Sequence, residues 1–284
     1  VLYTGNSTAD RQITLGFQPD MAWAKSRTNT ENHALFDSVR GGYRIMPDQD
    51  NAQDSNAGVT AWNSTGYVIG SSDSFNSNSQ DFVNWAWKMG TTSGLSGGTI
   101  TPTSYNINVT AGFGMYKYAG TSAAATIAHG LGVAPECIIV KKVSAADSWW
   151  MYHRNTHSTP SNSNQYYMVL DTNVVRNTNL EAWNNTTPTD TLIHFGDAGN
   201  VNSSSGSSTY LMYAFAPKKG FSKMGGYVGN SNADGTFVYT GFRPSMLITK
   251  KASGTAHWYQ WDDKRIGYNP SNYILFPADN AVED

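Results

Sequence analysis

Six histidines, 21 acidic side chains and one cysteine are the groups through which this 284-residue chain could bind a metal, move a proton or attack a substrate. The run Asp48-Gln49-Asp50-Asn51-Ala52-Gln53-Asp54 carries the alternating oxygens of a calcium loop. It lacks the glycine at the sixth place and the glutamate at the twelfth, so it reads as a solvated acidic loop. His153 and His157 have the spacing that sets two imidazoles on one helix face for zinc. The run Trp149-Trp150-Met151-Tyr152 beside them does not read as helix, and no zinc pair is expected. Glycan hydrolysis needs two carboxylates roughly 5 to 9 Å apart. Asp73 and Asp81 are candidates, answered later in the chain only by the offset Asp190 and Asp197. There is no Gly-x-Ser-x-Gly elbow, phosphate loop or dinucleotide fingerprint. Cys137, inside Cys137-Ile138-Ile139-Val140, reads as a buried structural thiol. A lone cysteine excludes disulfides and cysteine-based zinc sites within one chain. No catalytic residue, metal or cofactor is assigned, and the chain reads as a non-enzyme.

Aromatic rings beside neutral amides and hydroxyls are the remaining chemistry, as in Trp149-Trp150, Trp62-Asn63-Ser64 and His257-Trp258-Tyr259-Gln260-Trp261-Asp262. A sugar stacks its C–H face on such a ring and pairs its hydroxyls with the polar groups around it. Most of these rings are needed for a core. Trp149 and Trp258, expected at the surface, together with Tyr259 and Asp262, are the carbohydrate-binding candidates.

The elements that would position these residues recur along the chain. Tyr3-Thr4-Gly5-Asn6, Tyr118-Ala119-Gly120-Thr121 and Tyr227-Val228-Gly229-Asn230 begin three similar stretches. Each leads, 16 or 17 residues after its tyrosine, to the proline of a Gly-x-x-Pro turn at Pro19, Pro135 or Pro244. Six residues past each proline stands a lysine: Lys25, Lys141 and Lys250. Further on, Phe36-Asp37, Tyr152-His153 and Trp261-Asp262 correspond, and Val83 to Trp87 answers Leu211 to Phe215. Glycine allows the turn, proline fixes it, and the tyrosine packs on a sheet. The lysines read as side chains snorkelling from strand ends, with cross-strand pairing to Asp37 or Asp262 as the alternative.

The unit is about 110 residues. The expected organisation is a repeat over 1–90, a Gly/Ser/Thr-rich flexible connector and linking strand over 91–112, a repeat over 113–220 and an incomplete repeat over 221–284. The long first connector predicts tighter docking between repeats two and three than between one and two. Repeat three lacks its last third and repeat one its leading strand, which reads as a piece of a longer array.

Composition agrees with strands. Charged residues are 14% and aromatics 13%, with 27 glycines, a poor mixture for solvent-facing helices and a rich one for sheets and turns. Short β-branched and aromatic runs separated by turn residues at intervals near ten predict an all-β fold of tandem antiparallel β-sandwich repeats, jelly-roll or lectin-like. Tyr166 to Leu170 predicts a strand, and Asp171 to Trp183 is the one candidate helix. A net charge of −2 with scattered basic residues argues against a nucleic-acid partner. No apolar run reaches the roughly 20 residues of a membrane span, and no export signal is visible at the start.

The stretches around Tyr3-Thr4-Gly5-Asn6, Gly16-Phe17-Gln18-Pro19-Asp20-Met21-Ala22-Trp23-Ala24-Lys25, His33 to Gly41 and Phe82-Val83-Asn84-Trp85-Ala86-Trp87-Lys88 resemble a β-sandwich repeat of tailed-bacteriophage virion proteins, many from marine phages. The resemblance is close in repeat one, looser in repeat two, where His153-Arg154-Asn155-Thr156 replaces Asp37-Ser38-Val39-Arg40, and partial in repeat three. It implies a tail fibre or surface decoration outside the host cell, on the virion surface. Its implied partners are copies of itself, as a trimer, other virion proteins and host-surface glycans; it implies no catalytic residues. A glycan-degrading depolymerase, or a structural repeat without ligand, are the alternatives.

Overall fold

A computed structural model describes residues 1–55, 58–265 and 273–284. The first block contains β1 (Leu2–Thr4), β2 (Arg11–Thr14), β3 (Met21–Ser26), β4 (Ala34–Asp37), β5 (Val59–Asn63) and β6 (Gly66–Ile69). One helical turn, α1 (Asp73–Asn76), then leads into β7 (Asp81–Trp87). The second contains β8 (Ser104–Asn108), β9 (Phe113–Ala119), β10 (Ala125–Ala128), β11 (Cys137–Lys142), β12 (Trp150–His153), β13 (Tyr166–Val169), β14 (Asn177–Thr178) and β15 (Leu192–Phe195). A second turn, α2 (Gly199–Asn202), leads into β16 (Thr209–Phe215). The third contributes the hairpin β17 (Met246–Lys250) and β18 (Trp258–Asp262).

The fold is all-β, and the named strands, among the described residues, pair with one another antiparallel. The first block is a sandwich of a sheet ordered β1-β7-β3-β4 and one ordered β2-β6-β5. Between them lies a core of Ile13, Ala22, Ala24, Phe36, Tyr67 and Phe75. The second block sets β10-β15 beside a seven-stranded sheet, β14-β13-β12-β11-β16-β9-β8. Within that sheet β9-β16-β11-β12 repeats the order β1-β7-β3-β4. Register repeats too: Ala22 lies opposite Ala86 and Phe36, and Ile138 opposite Ala214 and Tyr152.

The large sheets are buried on both faces, which is why β3 reads as a continuous apolar run and not as an alternation. Ala22 and Ala24 face their own sandwich, whereas Met21 and Trp23 enter a second core with Met115, Met151, Met168, Trp149 and Trp258. That second core draws side chains from all three blocks.

The opening motif becomes a local device. Tyr3 Oη donates to the carbonyl of Phe75 at 2.7 Å, and Tyr118 Oη to that of Val201 at 2.6 Å, so each tyrosine grips the helical turn of its block. The buried Asn76 and Asn202 then accept from the backbone of Asn6 and Thr121 and donate to two carbonyls each. Glycine is required between them, because a Cβ on Gly5 would lie 2.0 Å from the Ser77 oxygen and one on Gly120 2.1 Å from the Ser203 oxygen. Gly16, Gly132 and Gly241 of the Gly-x-x-Pro turns all have positive φ, as the turns require.

Three expectations change. Asp171 to Trp183 forms no helix: β-branched Val174 and Val175 disfavour one, the pair Asn177–Thr178 is strand, and Arg176 N donates to the carbonyl of Ala252 in the third block. The connector after residue 90 is tied into the second block, since Ile100 and Leu95 pack in its core and Thr99 and Ile100 donate to the Thr126 carbonyl. β8 also ties it to the first block, through Asn106 to Asp20 and Ser104 to the Val39 carbonyl. The first junction is therefore no looser in kind than the second. In the third block the segment of Tyr227 forms no strand, and Tyr227, Val228 and Phe237 are exposed.

Candidate functional site

The most elaborated polar geometry lies where the blocks meet. Three residues before Phe36, Tyr152 and Trp261 stand His33, Trp149 and Trp258. Trp149 Nε1 donates to the carbonyls of Met46 at 3.1 Å and Gln49 at 3.0 Å, in the first block. Trp258 Nε1 donates to the Val169 carbonyl at 2.9 Å, in the second. His33 Nε2 meets the Phe276 carbonyl at 3.1 Å, in the third. Met46, Val169 and Phe276 are themselves equivalent, each following the residue that bridges to Leu35, Met151 or Gln260.

Seven residues further on, the same three segments donate to the same three neighbours. Gln53 N reaches the Val143 carbonyl at 3.1 Å, Arg176 N that of Ala252 at 3.3 Å, and Glu283 N that of Arg27 at 2.9 Å. Block two docks on one, three on two, and one on three, so the contacts close a ring. Glu283 seals the closing junction with Arg27 at 2.8 Å and Arg265 at 2.8 Å.

Two of the three lysines, Lys141 and Lys250, belong to this ring, whereas Lys25 Nζ holds the Ser26 and Asn29 carbonyls of its own block. Lys25 and Lys141 are fully buried, which removes the snorkelling expectation. Lys141 Nζ holds the carbonyls of Lys142 and Asp147 in its own block and of Asp50 in the first; Lys250 Nζ does the same with Lys251, Ala256 and Asn173 of the second block. Burial pushes Lys25 and Lys141 down to about 8, with nearby carboxylates opposing. Pairing with Asp37 and Asp262 does not occur either. Those carboxylates bind Arg40 and Arg265 at 2.7 Å and accept from neighbouring blocks, Asp37 from Tyr213 Oη at 2.8 Å and Asp262 from Trp85 Nε1 at 3.2 Å. The acidic run Asp48 to Asp54 is thus a receptor for the next block: its carbonyls take Trp149 and Lys141.

The two tryptophans expected at the surface are buried, at 1% and 3% exposure, because each indole fills the neighbouring block and needs a carbonyl for its N–H. A sugar cannot reach either face in this arrangement. Asp262 is also buried, held by Arg265. Of the four carbohydrate candidates Tyr259 alone is not buried; half-buried in β18, it stacks on Trp261 at 5.8 Å and meets the Phe276 ring at 5.8 Å. Sequence reasoning missed the receptor loops. The signal was available in the alignment of His33 with Trp149 and Trp258, three apolar-tolerant donors at one repeated position.

The histidine pair, the carboxylate pair and the cysteine weighed from the sequence do not come together as a site. Among the described residues no cluster of three or more His, Cys, Asp or Glu side chains could hold a metal. His153 lies in β12, whereas His157 stacks on Tyr166 at 5.1 Å. Burial pushes the Cys137 thiol up to about 12, away from the thiolate a nucleophile needs. Asp81, beside Arg27 in a shallow depression of about 240 Å³, accepts from Thr4; Asp73 opens α1 and does not line that depression.

The family described as Domain of unknown function (DUF7483) matches residues 1–284. No curated protein and no solved structure matches the chain.

Proposed function

The chain belongs to the DUF7483 family, whose description carries no activity, and we propose that it is a non-enzymatic structural component of a tailed-phage particle. In this reading it is a tail-fibre or decoration element at the virion surface, standing with other virion proteins and with copies of itself. The observation that supports it is the ring of junctions: the polar and aromatic residues repeated along the chain are used to lock blocks together. A body braced in this way resists shear and dilution, as an external part must. Its low charge leaves a surface governed by hydrogen bonds, which salt screens less than ion pairs.

Host glycans are the ligand class that the half-buried Tyr259–Trp261 pair favours, since a sugar stacks its C–H face on an aromatic ring left partly open to solvent. Immunogold labelling of purified particles with antibody against this chain tests the first part; absence from the particle overturns it. A glycan array with the intact protein tests the second, and Tyr259→Ala together with Trp261→Ala should abolish any signal. Release of oligosaccharide from host polysaccharide by the purified protein would replace this reading with the depolymerase alternative.

A further inference from the structure

Between the end of β16 and the Gly-x-x-Pro turn of the third block lies a pocket of about 290 Å³, with Lys218, Lys219 and Lys223 on one side and Tyr239, Thr240 and Gly241 on the other. Two turns build it. Lys218 N donates to the Ser222 carbonyl at 3.1 Å, and Phe221 N and Ser222 N donate back to the Lys218 carbonyl at 2.9 Å each, with Gly220 at a φ of 77° closing the loop. On the facing side Gly241 has a φ of 83°, and Thr240 Oγ1 donates to the Phe242 carbonyl. Lys223 ties the turns together: its Nζ donates to the Tyr239 carbonyl and stands 5.7 Å from the centre of the Tyr239 ring.

The repeated motif does not call for these side chains. In the first repeat the places of Lys218 and Lys219 hold Gly90 and Thr91 and that of Tyr239 holds Thr14; in the second, Gly130 stands for Tyr239. Tyr239 is 71% exposed, whereas Tyr116 and Tyr118 are wholly buried in the core of their block. Positive charge is concentrated here. Residues 217–243 carry Lys218, Lys219, Lys223 and Arg243 against the single acid Asp234, in a chain whose net charge is −2, and none of the residues lining the pocket is acidic. A lysine ammonium has three N–H donors, of which the Tyr239 carbonyl takes one from Lys223. The others can meet an anion.

We propose that this pocket binds one acidic residue of a polysaccharide, a uronate or a sulfated sugar, with its anionic group held by Lys218, Lys219 and Lys223 and its C–H face on Tyr239. The volume is at the small end of ligand cavities, which suits a single sugar residue and not a length of chain. A nucleic acid needs cations spaced along successive phosphates, whereas the three lysines here converge on one pocket. The proposal rests on the reading of glycans as the ligand class, and not on the Tyr259–Trp261 pair as their site. A site for one residue is weak and is emptied by the washes of an array, so it is read at equilibrium in solution.

Titration of the isotope-labelled 284-residue protein with digalacturonate, a sulfated digalactoside, the neutral digalactoside or sodium sulfate, followed by amide chemical shifts, tests this. At least one acidic disaccharide should saturate at about 0.1–5 mM with shifts at amides 218–223 and 239–241, and the tighter of the two identifies carboxylate or sulfate as the group recognised. The neutral disaccharide should bind about ten-fold more weakly. Lys219→Ala with Lys223→Ala should leave the protein folded by circular dichroism and weaken the preferred acid about ten-fold. Tyr239→Ala should weaken that sugar about five-fold and leave sodium sulfate unchanged. The protein carrying Tyr259→Ala and Trp261→Ala should bind the acid as wild type does, which separates this pocket from that pair. Equal binding of neutral and acidic disaccharides, no shifts at these amides up to about 10 mM, loss of binding in the Tyr259 and Trp261 variant, or sodium sulfate binding as tightly as either acidic sugar overturns the proposal. So does an oligothymidylate that binds more tightly than the sugars, which would assign the pocket to nucleic acid.

Discussion

His33 can stand where the other two junctions use tryptophan because its ring is held neutral in one tautomer. Trp23 Nε1 has only a proton to give and donates to His33 Nδ1 at 2.9 Å, so Nε2 carries the hydrogen that reaches the Phe276 carbonyl. Burial, with the nearby Lys25 charge, pushes this histidine down to about 3. An unfolded histidine takes its proton near pH 6.5, so between roughly pH 6.5 and 3 the unfolded chain binds the extra proton and stability falls on acidification, by about 1.4 kcal/mol per pH unit. Asp48, whose carboxylate accepts from His33 N, is raised to about 7 by burial and works the other way: its stabilisation grows as pH falls from about 7 toward 4. The two slopes are separable by comparison with His33→Gln, which keeps an acceptor and a donor but does not titrate. Urea midpoints should show the advantage of wild type over this variant shrinking steadily below pH 6.5; a constant difference would mean that His33 is protonated in the native state. At the equivalent place, Trp149→Ala should cost about 3–5 kcal/mol through the cavity and the indole donor lost to the Met46 and Gln49 carbonyls, and Trp149→Phe distinctly less.

Gly5, Gly120 and Gly229 occupy one position of one motif, and the strands around them decide what each is worth. In the first two blocks a β-carbon would collide with backbone at the end of the helical turn. Gly5→Ala and Gly120→Ala should each destabilise by about 2–3 kcal/mol, while Gly229→Ala should leave the melting temperature unchanged. A loss at Gly229 equal to the others would mean that it too is pressed against a neighbouring segment. This difference was not legible in the sequence, where the three motifs look alike, because what separates them is a partner segment distant in the chain. Individual strands were legible: tyrosine, turn proline and lysine at fixed spacing located β3, β11 and β17, and Tyr166 to Leu170 marked β13. Which face of each strand looks to the shared core was not, since Met21 and Trp23 on one face and Ala22 and Ala24 on the other are all apolar. For the same reason Trp149 read as outward: a residue next to a core position points away from its own sandwich, and only a neighbouring block buries it.

Three blocks in one chain would ordinarily unfold as separate units, each with its own transition. Here Met21, Trp23, Leu35, Met115, Trp149 and Trp258 share a single core, and each block supplies a side chain that the next one hydrogen-bonds. Removing one block exposes apolar surface of the other two and strands the carbonyls that received it, so its loss carries costs beyond its own interior. The ring also makes the junctions mutually dependent: with two closed, the third is held at high effective concentration, and that advantage disappears when a second is cut. Scanning calorimetry should therefore give one endotherm with calorimetric and van 't Hoff enthalpies nearly equal, where three independent blocks would give a ratio near three. Trp149→Ala and Trp258→Ala together should lower stability by more than the sum of the single changes, by about 0.5–3 kcal/mol in a double-mutant cycle. Additive losses, or three resolved endotherms, would show that the blocks merely touch and that the closed ring has no energetic standing.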